Sequence, residues 1–155
     1  MASKTPYLPP RWVITTAWRI HRALYRWTGG RLGLRQPKPD TYGLGQLTTI
    51  GRRTGKPRSV MIGYYEDDGA FVTMAMNGWA PAEPAWWLNL QAEPRAKLIL
   101  SDRSIDVIGR AATGQERERL WQRWCELDKD LEGWAARRPS ETAVVVLDDA
   151  AISHK

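Results

Sequence analysis

The chain has 155 residues, the length of one ordinary domain, and is 43% hydrophobic and 26% charged. Those proportions exclude disorder, collagen-like repeats and a coiled-coil rod. The charge is uneven: residues 1–58 carry 12 Lys/Arg against one acid, hence +11, while residues 59–155 carry 11 against 16 acids, hence −5. A basic half on a mildly acidic body points to an anionic partner, whether membrane headgroups, nucleic acid or a phosphorylated small molecule. The single cysteine, Cys125, excludes an internal disulfide and fits a reducing cytoplasm. With only His21 and His154 beside it, a Cys/His zinc site is excluded too.

No leader or membrane span is expected, because Arg11, Arg19, Arg22 and Arg26 interrupt the early apolar stretches. Residues 11–27 instead read as an amphipathic helix. Val13, Ala17, Ile20, Leu24 and Trp27 form its apolar stripe, with Ile14, Trp18 and Tyr25 flanking, and Arg19, Arg22 and Arg26 lie on another face. Gly29 and Gly30 are expected to end it. A Gly/Pro-punctuated connector follows from Arg31 to Gly45. The expected division is a basic helix and connector over residues 1–40 and a β-rich domain over 41–150.

Strands are expected at Leu44–Ile50, Val60–Tyr65 and Phe71–Met76, the last two joined by an Asp68-Gly69 hairpin turn. Pro84 can open a short helix that Pro94 ends. Lys97–Leu100 and Ile105–Ala111 read as two more strands. Thr113 and Glu116 then form a capping box for a helix running to about Asp128, in which Cys125 is packed. Thr142–Leu147 is the sixth strand. Tight turns between neighbouring strands favour antiparallel pairing, hence an α+β fold with a barrel-like sheet.

Two stretches could carry chemistry. The loop 51–58 packs Arg52, Arg53, Lys56 and Arg58 between two glycines, and Thr54 and free backbone N–H groups add donors. It reads either as a cradle for a phosphate or polycarboxylate or as a solvated hairpin tip, and it lacks the Walker order. In Pro84-Ala85-Trp86-Trp87-Leu88-Asn89-Leu90 the adjacent tryptophans face different ways. One can pack inside while the other lines a groove, or both can be core-boundary residues.

Together these stretches resemble a known family. Leu47-Thr48-Thr49-Ile50-Gly51-Arg52-Arg53-Thr54-Gly55-Lys56-Pro57-Arg58 closely resembles the LLTTxGRKTGxPR signature of the deazaflavin-dependent nitroreductases, which include F420H2-dependent quinone reductase-like split-barrel oxidoreductases. Residues 84–94 resemble the family's PxWYxNLxANP segment, and the likeness extends over roughly residues 44–148. The resemblance implies a split β-barrel of the FMN-binding kind with flanking helices, and coenzyme F420, a deazaflavin with a phosphate and a glutamate tail. It places Arg52, Arg53, Thr54 and Arg58 at the anionic tail and Ser59, Val60, Met61, Ile62 and Gly63 on the strand passing the cofactor. Met74, Ala75, Met76 and Asn77 fall beside the ring, and Ala85, Trp86, Trp87, Leu88 and Asn89 at the helix that closes the site. Relatives that reduce nitroimidazoles carry a serine–lysine pair where this chain has Met76-Asn77, and tyrosines where it has Leu131 and Trp134. Leu131 is therefore expected at the cofactor, and Asn77, Tyr64 and Trp134 are the candidate catalytic residues, with Tyr65 a further possible proton donor.

The reading implied is an oxidoreductase that uses reduced coenzyme F420 to transfer hydride to a hydrophobic quinone-like or nitro-substituted acceptor. FMN, whose phosphate the loop 51–58 could also hold, and another chromophore are the alternatives within the fold. Outside it stands a non-enzymatic module binding membrane or nucleic acid through the basic half. The absence of any nucleic-acid motif argues against nucleic acid. Expected partners are a small-molecule acceptor, an anionic membrane surface met by residues 11–27 and a second copy of the chain. The expected location is the cytoplasm, peripheral on the inner face of the cell membrane.

Overall fold

The structure, a computed structural model, describes residues 9–27 and 33–153. Helix α1 spans Arg11–Trp27. Gly29 and Gly30, expected to end it, lie outside the described residues, as do the side chains of Arg22, Leu24, Tyr25, Arg26 and Trp27. Among the described residues six strands follow: β1 Gly43–Ile50, β2 Pro57–Asp67, β3 Ala70–Met74, β4 Arg95–Ile99, β5 Ser104–Ala111 and β6 Val144–Asp149. Helix α2 (Ala85–Ala92) precedes β4, and α3 (Gly114–Leu127) and α4 (Leu131–Ala135) precede β6. The strands close into a barrel in the order β1-β2-β3-β6-β5-β4, every neighbouring pair antiparallel. This is the α+β barrel expected from the tight turns.

Strand alternation divides the apolar residues into two clusters. Ile62, Tyr64, Val145 and Leu147 belong to the inner one, into which α2 inserts Trp86, Trp87 and Leu90. Gly109 admits that helix, since a Cβ there would lie 2.8 Å from Leu90 Cδ1. Tyr65, Val144 and Val146 belong to the outer cluster with Leu120, Trp124 and Leu131 of α3 and α4. The β2–β3 hairpin turns at Asp68 (φ 49°) and Gly69 (φ 80°), the pair of positive angles that a two-residue turn between twisted strands requires.

Three local expectations change. Pro84 caps α2 instead of opening it. Thr113 is the N-cap of α3 but makes no side-chain capping bond. The Glu116 carboxylate that should complete the box is held by both terminal nitrogens of Arg110 at 2.8 and 2.9 Å, and a bidentate charge-assisted pair outcompetes a cap. Helix α4 was not expected at all.

Helix α1 meets the barrel with one edge of its stripe. Arg11 donates to the Asn77 backbone carbonyl at 3.2 Å and to its Oδ1 at 3.4 Å. Ile14 and Trp18 cover Gly78. The middle of the stripe faces outward: Ile20 is 56% exposed, and Trp12, two turns earlier, 70%.

Candidate functional site

The loop between β1 and β2 is short and self-bonded. Gly51 N–H donates to the Lys56 carbonyl at 2.8 Å, and Gly55 N–H to that of Gly51 at 2.7 Å. The tight closure leaves the cationic side chains projecting outward, where Arg52, Arg53, Lys56 and Arg58 are exposed. The buried Asn89 of α2 fixes the first of them. Its Oδ1 accepts from the Arg52 backbone N–H at 3.1 Å and from Nη1 at 3.4 Å, while its Nδ2 donates to Thr49 Oγ1 at 3.1 Å. Arg53 and Arg58 make no ion pair or side-chain hydrogen bond among the described residues.

A cleft of about 790 Å³ begins at this loop. Arg52, Arg53, Thr54 and Arg58 line it, then Ser59 to Gly63 of β2, with Met74, Met76, Asn77, Ala85, Trp86 and Asn89 around it. From Arg58 to Gly63 the strand advances about 17 Å. At the Gly63 end the walls are aromatic: a Cβ on Gly63 would stand 3.0 Å from the Tyr42 ring and 3.8 Å from that of Trp124. Those two rings are tilted against each other with centroids 5.7 Å apart. The cleft is therefore cationic at one end and aromatic, with methionines, along the rest. That arrangement suits an elongated ligand, anionic at one terminus and planar at the other.

The remaining candidates lie elsewhere. Tyr64 is fully buried in the inner cluster, edge-on to Phe71 with centroids 5.9 Å apart, and its hydroxyl has no hydrogen-bond partner among the described residues. Burial first, then the carboxylate of Glu66, pushes that hydroxyl up to about 12. Tyr65 faces outward, but its hydroxyl donates to the Leu120 carbonyl at 2.9 Å. Burial, then Asp67, raises its pKa well above the ordinary value. Neither tyrosine lines the cleft. Ala75 and Trp87 are core residues, Leu88 is half-buried on α2, and Leu131 is fully buried under α3 and α4. Trp134 packs on the outer cluster, its ring 5.8 Å from the Arg137 guanidinium carbon. Cys125 is half-buried, and burial, then Glu132 and Asp128, raises its thiol pKa, so it is packed and not activated.

The cleft also takes residues that local patterns did not single out: Trp18, Tyr42, Leu44, Thr73, Trp79, Trp124 and Asp128. Trp18 was visible only as a flank of the α1 stripe. Tyr42 and Trp124 meet across 82 positions of sequence, and no local signal joins them.

The family model described as F420H(2)-dependent quinone reductase matches residues 17–149. The F420H(2)-dependent quinone reductase of Mycobacterium tuberculosis (strain H37Rv) is 33% identical over 106 residues, 67% of this chain and 70% of that protein. Among solved structures, an F420-H2 dependent reductase, FDR-A, is 25% identical with a TM-score of 0.62 over 68% of this chain and 93% of its own. One described as a domain-swapped dimer is 26% identical with a TM-score of 0.65, over 89% and 98%. A heme-binding protein from Mycobacterium smegmatis, 20% identical with a TM-score of 0.53, covers 70% of this chain and 46% of its own, and shares the fold alone.

Proposed function

The chain belongs to the F420H(2)-dependent quinone reductase family, and from that premise we propose that it transfers hydride from reduced coenzyme F420 to a hydrophobic quinone-like or nitro-substituted acceptor in the cleft along β2. The observation that carries the reading is the cleft's division, with Arg53 and Arg58, unpaired among the described residues, at one end and Tyr42, Trp79 and Trp124 at the other. Unpaired cations are ready to meet a phosphate and carboxylates without first breaking a bond. Aromatic and methionine walls suit a planar ring. When bound, the deazaflavin supplies the hydride chemistry.

The chain's residues do the rest. Arg52, Arg53, Thr54 and Arg58 hold the anionic tail, and Asn89 keeps Arg52 aimed. Met74, Met76 and Trp86 flank the ring and exclude water. Asn77 gives its Oδ1 to Arg11, which leaves its amide N–H groups to orient an acceptor oxygen. Tyr64 and Tyr65 lie off the cleft and are not placed to give the proton that completes the product. FMN, with a phosphate but a shorter anionic chain, is the competing ligand.

The test is a titration with oxidised coenzyme F420 and, separately, FMN, read by tryptophan quenching at two salt concentrations, followed by turnover with the reduced cofactor and menadione. Saturable quenching by the deazaflavin that survives salt, with turnover, is expected. Quenching by FMN alone would replace the cofactor assignment. Binding of single-stranded nucleic acid that weakens by orders of magnitude between about 50 and 200 mM salt would replace the enzyme reading altogether.

We further propose that α1 rests on an anionic membrane surface on the cytoplasmic side. Exposed Trp12 and Ile20 with Arg19 beside them, at the end of a strongly basic half, support this. No helix among the described residues is long and apolar enough to cross a membrane. The full chain should sediment with anionic vesicles, and a chain lacking residues 1–28 should not; that chain also loses Trp18 from the cleft, so its cofactor binding should be weakened but kept. A homodimer that leaves vesicles alone and monomerises on the same deletion would assign the stripe to a second copy.

A further inference from the structure

Between β3 and α2 the chain turns through residues 75–84, and this segment supplies Met76, Asn77 and Trp79 to the cleft. Its backbone is unusual. Gly78 (φ 55°) and Trp79 (φ 58°) are consecutive left-handed residues, and Trp79 carries a bulky side chain that resists that conformation. Such strain persists only where surrounding structure over-determines it. The segment's own backbone bonds do little, with Met76 N–H on Met74 at 2.9 Å and Ala80 N–H on Asn77 at 3.0 Å.

The brace comes from Arg138, past the end of α4, whose side chain is 0% exposed. Its Nε donates to the Ala80 carbonyl at 3.2 Å, and Nη1 to the Ala75 carbonyl at 3.2 Å and to Thr142 Oγ1 at 2.9 Å. Nη2 donates to Glu83 Oε1 at 3.1 Å. One planar guanidinium therefore ties both sides of the left-handed pair, and Glu83 just before Pro84, to Thr142, two residues before β6. We propose that Arg138 is a positioning residue of the reaction, fixing the wall that Met76, Asn77 and Trp79 present to the cleft. A lysine cannot replace it, because one ammonium cannot span carbonyls that a rigid five-donor fork reaches together. The proposal rests on the reductase reading. It separates the hold on the anionic tail, which sets most of the cofactor affinity through the loop 51–58, from the alignment of ring and acceptor, set by residues 76–79.

The test uses the full chain as Arg138→Lys and Thr142→Val. Amide hydrogen exchange over residues 75–83 is followed without ligand, together with the Kd of oxidised coenzyme F420 and kcat and KM with the reduced cofactor and menadione. R138K should exchange faster in that segment than in the barrel strands and keep the cofactor Kd within about threefold. Its kcat should fall tenfold or more, the scale that a displacement of about 1 Å produces. T142V, which removes one buried bond and should lower the melting temperature by only a few degrees, should show the same pattern more weakly, and it decides the matter if R138K does not fold. Unchanged exchange and kcat in the folded variants overturn the proposal. So does a loss of exchange protection, affinity and kcat together in proportion to global unfolding. Wild-type protein without turnover sinks the reductase reading, and this proposal with it; wild-type turnover beside an indifferent R138K sinks only this one.

Discussion

At the residue scale, the cleft's polar side chains divide by whether they already have partners. Asn89 is buried and engaged through both its oxygen and its amide nitrogen, so its work is to join α2, β1 and the basic loop. Asn89→Ala would strand the fully buried Thr49 hydroxyl and the Arg52 N–H. The expected loss is about 1–3 kcal/mol, at roughly 2–4 °C of melting temperature per kcal/mol, read by calorimetry. Arg53 and Arg58 are the opposite case. Neither pairs with anything described, so Arg53→Ala with Arg58→Ala should leave the melting temperature where it was. Cofactor affinity should fall by roughly 1.5–3 kcal/mol for each arginine lost. A fluorescence titration checks this, and an unchanged Kd in the double variant removes the cradle.

At the element scale, Gly78 is the seat on which the described side chains of α1 rest. Gly78→Ala adds a Cβ 3.0 Å from Ile14 Cγ2 at a left-handed backbone position, which costs about 1–2 kcal/mol. The expected results are a lower melting temperature and faster proteolysis within α1. Unchanged proteolysis would place the helix's hold elsewhere. The same scale shows what the residues made legible. Asp68-Gly69 specifies its hairpin because few dipeptides accept two positive φ angles, and Gly51 to Arg58 announces its loop by glycine and charge alone. Thr113 and Glu116 misled because Arg110 lies on β5, beside Glu116 only after folding. Helix α4, five residues with Gly133 inside, has almost no propensity of its own and forms because Leu131 is buried beneath it. Parity along β2 sends Tyr64 inward and Tyr65 outward, which no reading of two adjacent tyrosines distinguishes until the register is known. The cationic end of the cleft was legible because it is contiguous in the chain. The aromatic end was not, because Trp18, Tyr42 and Trp124 come from three segments that meet only in the closed barrel.

At the scale of the whole molecule, ion pairs fasten the acidic body, and these set its response to pH. Arg119 of α3 grips Asp67 of β2 through two bonds of 2.8 Å, and Arg110 joins Glu116 of α3 to Asp148 of β6. The hydrogen bonds from these arginines hold the Asp67 and Glu116 carboxyls below their ordinary range. A carboxyl depressed in the folded state stabilises the fold above its unfolded pKa of about 4 and loses that contribution as pH falls through the folded value. At the alkaline side, the Tyr64 hydroxyl is raised to about 12. Its contribution is complete below the unfolded value of about 10 and is lost as pH climbs toward the folded one. Urea unfolding should therefore give a plateau through neutral pH, bounded by a fall below about pH 4 and another above about pH 10. Asp67→Asn should lower the plateau slightly and flatten the acid limb, because the protonation that weakens the wild-type pair can no longer occur. Tyr64→Phe should make the alkaline limb shallower, Tyr65 sustaining the remainder, without touching the acid one. An acid limb as steep in D67N as in the wild type would show that the Arg119 clamp does not govern acid unfolding, and would leave the Glu116–Arg110 pair and the net positive charge that grows as the body's carboxylates are neutralised as its causes.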